Sequence, residues 1–128
     1  VTFLSPLLRE PDLAWVLENT TAGAVLATSV QAAVDSTSRR RGLLGRTGLD
    51  DAALVIAPCN AVHTFFMKFP IDVVFVDRTG RVLRIAASVP AWRMTTSWRA
   101  FATIELAAGT AARIGTAAGH TLALRCAS

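Results

Sequence analysis

HTFFMKFPIDVVFVD (His63–Asp77) is the stretch on which the fold turns. Its residues alternate in character. His63, Phe65, Met67, Phe69, Ile71, Val73 and Phe75 share one parity, and all but the histidine are apolar. A period of two is the mark of a strand that turns one face to a core. It predicts burial of His63, Phe65, Met67, Ile71, Val73 and Phe75. The other parity is broken at its middle, where Lys68, Pro70 and Asp72 fall together. Proline cannot donate to a ladder, so two strands are expected to meet at KFPID rather than run through it. The tetrad DRTG (Asp77–Gly80) then reads as a hairpin turn, with RVLRIAASV as the returning strand.

Working outward, LAWVLENTTAGAVLATSVQAA reads as two strands joined at Asn19–Gly23. Asp35 and Ser36 are good helix caps and Gly45 a stop, which predicts a short helix over about residues 37–44. AALVIAP is a short apolar strand ended by Pro58, PAWRMTTSWR (Pro90–Arg99) a loop or broken edge, and AFATIELA a further strand. AGTAARIG predicts a short helix stopped by Gly115, and TLALRC the closing strand. Strands dominate without a regular strand-helix-strand rhythm. The expected fold is mainly β, a compact and mostly antiparallel barrel or rolled sheet with one or two short helices; a split α+β sheet is the alternative.

The chain has 128 residues, which suggests a single domain over 1–128. Hydrophobic residues make up 52% and charged residues 17%, a composition that folds rather than stays disordered. The net charge of +4 is carried by twelve arginines and one lysine, Lys68. Such an excess favours anionic partners, but Arg39-Arg40-Arg41 is too short to act as a basic arm, so nucleic acid is not the expected partner. Two cysteines, Cys59 and Cys126, do not make a disulfide framework, and reduced thiols are the default. No apolar run approaches the roughly 20 residues of a membrane span. VTFLSPLLREPDLAW is charged too early for a signal peptide. The cytoplasm is therefore the expected compartment, with export open if a segment precedes Val1.

Several motifs occur in order: RGLLGR (Arg41–Arg46), HTFFMKFPIDVVFVD (His63–Asp77), IELAAGTAARIG (Ile104–Gly115) and GHTLAL (Gly119–Leu124). Together they resemble the bacterial and archaeal family known as domain of unknown function 192, over about residues 25–125. The resemblance is to its histidine-containing branch, with Leu44 where methionine is usual and a compact KFPID. It implies a small, mostly-β, barrel-like domain and carries no established activity.

Arg46, Lys68, Asp72 and Glu105 all lie inside these motifs beside apolar residues. A charge in a core is costly unless paired and hydrogen-bonded. The first expectation is a structural ion-pair cluster, with Asp72 bound by Arg46 or Arg41 of the helix and Lys68 left at the barrel mouth. The sharper alternative is a pocket for a small polar or anionic ligand, formed by Arg46, His63, Lys68, Asp72 and Glu105. An enzyme built on Asp72, Glu105 and Lys68 is the runner-up, but a carboxylate pair without a nucleophile does not define a reaction. Cys59, His63 and Met67 recur every four residues, and His120 lies on the last strand. Four residues along a strand is roughly 13 Å, so these soft ligands are not expected to share an ion, and no cofactor is called for. Trp92, Arg93, Trp98 and Arg99 crowd one loop. They read as an end cap of the barrel or, if exposed, as a surface for an unknown protein partner. The expected role is a binding or accessory module for an unknown ligand or protein, an accessory factor of an envelope or export assembly being one form of it.

Overall fold

The computed structural model describes residues 1–127. Their elements run α1 (Ser5–Arg9), β1 (Trp15–Asn19), β2 (Ala24–Ala27), β3 (Ser29–Ala33), α2 (Ser36–Arg41), β4 (Ala52–Ile56), β5 (Ala61–His63), β6 (Ile71–Val76), β7 (Val82–Val89), β8 (Met94–Thr96), β9 (Ala102–Ala107), α3 (Thr110–Ile114) and β10 (Leu122–Cys126). The five-stranded central sheet has the order β3-β4-β9-β6-β7; β10-β1-β2 form a second sheet, and β5 pairs with β8. The chain is mainly β, as its alternation predicts. The sheets are not closed into a barrel. The two larger ones meet where β2 runs through Thr28 into β3, and again at an isolated bridge between Arg81 and Thr121. Three backbone hydrogen bonds of 2.8 Å flank that bridge, from the amides of Val82, Gly119 and Leu122 to the carbonyls of His120, Val82 and Gly80.

β3 and β4 are parallel neighbours, the exception among otherwise antiparallel pairings. Parallel neighbours need a crossover, and α2 lies in it. The helix starts where Asp35 accepts a hydrogen bond from the Ser38 amide at 2.7 Å, a side-chain N-cap. It is shorter than the expected 37–44, because Gly42 leaves the helix at φ 47°. None of its residues is buried. It is held to the domain by the segment that follows it, through Leu43 and Leu49.

The central sheet is covered on both faces. Val74, Val76, Ile104, Leu106 and Val55 pack toward the β10-β1-β2 sheet with Leu17 and Leu122. Ile71, Val73, Phe75, Leu54 and Ile56 pack on the other side with Leu43, Leu49 and Val89. This is why every residue of β6 is buried, whereas a half-covered strand buries alternate residues. Ile71, Val73 and Phe75 are buried as expected; Phe65 and Met67 are half-buried and His63 is exposed. The parity argument fails there because the chain is not extended between β5 and β6. Phe66 reverses it at φ 64°, and the Met67 amide donates to the Thr64 carbonyl at 3.2 Å. The DRTG hairpin forms as read. Asp77 accepts from the amides of Thr79 and Arg81 at 2.9 and 3.0 Å. Gly80 takes φ 88° against the Leu122 backbone, where a Cβ would meet the Leu122 carbonyl oxygen at 2.2 Å.

Candidate functional site

Register places Glu105 opposite Leu54 on one side and Val73 on the other. Its side chain therefore points with Leu54 and Val73, toward the face covered by α2 and the β5–β8 pair. Glu105 is 6% exposed. Burial among apolar groups pushes its carboxyl up from 4.5 to about 7, with the Arg46 guanidinium pulling the other way. Among the described residues it accepts no hydrogen bond, and its side chain opens on a cleft of about 380 Å³. Arg39, Arg40 and Arg41 of α2 form one wall of that cleft, Leu43, Ile56, Val62 and Met67 contribute apolar surface, and Cys59 and His63 complete it. A larger cleft of about 700 Å³ lies on the other side of the α2 segment, between α1 and β3. It has no buried ionisable group in its lining, so the smaller cleft is the one with chemistry.

Asp72 faces the opposite way. It is paired with Leu106 in the register, one residue out of step with Glu105. It is fully buried and accepts from the amides of Ser88 at 2.8 Å, Gly109 at 3.2 Å and Ala111 at 2.9 Å. The expected arginine partner is thus replaced by backbone: Asp72 ties the start of α3 and the end of β7 to β6. A carboxylate satisfied by amides needs no counter-charge beside it. Asp72 and Glu105 project from opposite faces of one sheet, so they do not form an acid–base pair. The expected ion-pair cluster is absent among the described residues. Arg46 donates to the Gln31 side chain and lines the larger cleft, Lys68 is exposed, and the one salt bridge joins Arg125 to Glu18 at 2.9 Å.

The model of domain of unknown function 192 (DUF192), described as an uncharacterized ACR, matches residues 17–124. The chain belongs to the DUF192 family. Two crystal structures share its fold. One is a protein of unknown function from Novosphingobium aromaticivorans DSM 12444, 24% identical, with a TM-score of 0.73 over 85% of this chain and 82% of that one. The other is described as a "putative transcription regulator" from Sinorhizobium meliloti 1021, 22% identical, with a TM-score of 0.74 over 86% of this chain and 91% of that one. At these identities the likeness is one of fold. A search of curated proteins finds no match.

In this DUF192 domain Cys59, His63 and Met67 line one cleft, and no group of three His, Cys, Asp or Glu side chains placed to hold an ion occurs among the described residues. The turn at Phe66 folds the chain back and brings Met67 beside β5. His120 lies elsewhere, its Nδ1 3.0 Å from Asn19 Nδ2. The Cys59 thiol donates to the Ala61 carbonyl at 3.2 Å. Trp92 and Trp98 are 56% and 88% exposed, so they do not cap an open end. Hydrophobic periodicity gave no hint of Arg39–Arg41 as cleft residues. The sequence signal for them is the arginine run at the end of a short capped helix.

Proposed function

We propose that this DUF192 domain binds a small anionic molecule in the cleft between α2 and β9. The observation that carries the reading is the Glu105 carboxyl, buried, without a hydrogen-bond donor among the described residues, and open to the cleft. No side-chain oxygen is sealed off without a partner among the described residues, so the carboxyl faces the cleft open to an occupant; burial favours its protonated form, whose O–H can donate to an anion's oxygen. Arg39 and Arg40 each spend a guanidine N–H on a local carbonyl, of Val34 and Ser36; no carboxylate lies within ion-pair range of Arg39, Arg40 or Arg41 among the described residues. Guanidinium groups suit carboxylate or phosphate, which they hold by paired hydrogen bonds. The cleft volume is at the small end for ligand sites, and its mixed lining is typical of them. The unburied helix α2 is able to settle onto an occupant without breaking a core.

Binding fits the arrangement better than catalysis. The cleft holds one carboxyl and no second acid to work against it, since Asp72 lies across the sheet. The Cys59 thiol is directed at a backbone carbonyl rather than at a base. Thermal-shift measurements against small carboxylates and phosphates test the reading. A true ligand stabilises the parent protein by about 2.7 kcal/mol at a hundredfold excess over its Kd. The same compound should stabilise Glu105→Ala and an Arg39→Gln/Arg41→Gln variant markedly less. A ligand that stabilises all three equally binds somewhere else.

A further inference from the structure

The β5–β8 pair carries a feature that the cleft does not use. Phe66, Trp92, Met94 and Trp98 are 70%, 56%, 69% and 88% exposed. The two exposed tryptophans and the exposed phenylalanine all sit on this one small sheet and its turns. Phe66 and Trp92 are held outward by the backbone. Phe66 and Trp92 adopt φ of 64° and 66°, a conformation that bulky residues avoid and that persists only where the surroundings impose it. The clasp is Thr64. Its amide donates to the Arg93 carbonyl at 2.8 Å and its carbonyl accepts from the Trp92 amide at 3.1 Å. Its hydroxyl donates to the Pro90 carbonyl at 2.6 Å and accepts from the Arg93 amide at 2.9 Å. The rings also brace each other: His63 stacks on Phe65 at 4.7 Å, Phe65 on Trp92 at 5.6 Å, and Phe66 meets Trp92 edge-on at 4.7 Å.

The chain segments that carry these rings hold charge of one sign, and the nearest acid in the fold is Asp77, which lines a shallow cleft with Arg99. No Asp or Glu occurs between Asp51 and Asp72, or between Asp77 and Glu105. The same intervals hold Lys68, Arg78, Arg81, Arg84, Arg93 and Arg99, and Lys68, Arg93 and Arg99 are exposed. We propose that this face docks the domain on a membrane surface of anionic phospholipid, with Phe66, Trp92, Met94 and Trp98 in the headgroup–acyl boundary and Lys68, Arg93 and Arg99 against the headgroups. Aromatic rings flanked by cations are the composition of such interfacial sites.

Other occupants fit less well. A second copy of the chain in a two-fold dimer would set this cationic face against itself. A single-stranded nucleic acid needs successive free ring faces to stack on; Trp98 offers one, but Trp92 is already covered by Phe65 and edged by Phe66. An extended peptide needs a groove or an open strand edge. Here the exposed rings line neither of the two α2 clefts, so they offer an extended peptide no groove. Docking of this kind needs no spanning segment, and no helix among the described residues is long and apolar enough to cross a membrane.

The test is partition of the full chain onto sedimented vesicles of phosphatidylglycerol in phosphatidylcholine, against pure phosphatidylcholine. Tryptophan emission reports the contact, because Trp15 is buried and leaves Trp92 and Trp98 as the solvent-exposed reporters. Binding to the anionic vesicles with a blue shift, weakening as salt is added, is the expected result. Arg93→Gln/Arg99→Gln should lower partition about fivefold per cation removed. Trp98→Ala, at a side chain too exposed to matter for folding, should lower partition and remove part of the blue shift. No partition onto anionic vesicles overturns the proposal, as does equal partition of Trp98→Ala and the parent. Binding to a soluble acidic peptide in place of the vesicles, at the same face, also overturns it.

Discussion

Glu105→Gln should flatten the dependence of stability on pH between 4.5 and about 7. Burial makes the folded chain hold the Glu105 proton more tightly than the unfolded chain does. Below 4.5, the ordinary value, the group is neutral in both states and its neutral form escapes the cost of burying a charge. As pH rises, the unfolded chain releases the proton first, and folding must then recapture it or bury a charge. Stability contributed by the neutral carboxyl is therefore full below 4.5 and lost as pH climbs through about 7. At 1.36 kcal/mol per pH unit the span corresponds to about 3 kcal/mol. Glutamine keeps the shape and does not titrate, but its NH2 lacks an assured acceptor, at a cost of about 1 kcal/mol or more. The variant should thus be slightly less stable than the parent at the acid end, and about 1–2 kcal/mol more stable above pH 8. Asp35 and Asp77 do not blur this window. Hydrogen bonds from Ser38 hold Asp35 below the usual carboxylate range. At Asp77 partial burial pushes upward, but bonds from Thr79 and Arg81 outweigh it and the net shift is down. Both lose their contribution only in stronger acid, and equally in both proteins. Urea melts across the window give the midpoints directly. Parallel pH profiles for the two proteins would refute the reasoning.

Asp72→Ala strands three amides that it now accepts from, and should cost at least about 3 kcal/mol in urea melts at about 1 kcal/mol or more for each donor. Lys68→Ala, at an exposed side chain without an ion pair, should stay within about 0.5 kcal/mol of the parent; equal losses in the two variants would contradict the division of roles. Gly80→Ala forces a Cβ to 2.2 Å from the Leu122 carbonyl oxygen at positive φ. A loss of about 2 kcal/mol or more is expected in the same melts, and a neutral result would mean that the hairpin and β10 are not in contact.

The β character of the chain was legible because short apolar, β-branched runs such as β6 and β4 are bounded by turn residues, and turn chemistry at Asp77–Gly80 and the Asp35 cap read correctly from single residues. Three things were not. The parity of His63–Asp77 carried no warning that Phe66 reverses the chain, since a bulky residue at positive φ has no sequence signal; that reversal is what gathers Cys59, His63 and Met67. Asp72 and Glu105 look alike in sequence, each a lone acid in an apolar run. Their separation to opposite faces depends on the register of β6 with β9, a long-range quantity. Asp72 was expected to need an arginine because burial of charge was counted without the amides at the start of α3 and the end of β7 as donors. The sequence leaves Trp92 and Trp98 open between an end cap and an exposed surface, because the Thr64 clasp that reverses the chain at Trp92 is a long-range contact.

Whether the α2–β9 cleft takes small anions is decided by amide chemical shifts of the labelled protein, followed while small carboxylates and phosphates are added one at a time. At least one compound should move signals from residues 36–44, 58–67 and Glu105 together, and lose this pattern in Glu105→Ala. Shifts confined to the α1–β3 side of α2, or none with any carboxylate or phosphate, would contradict it.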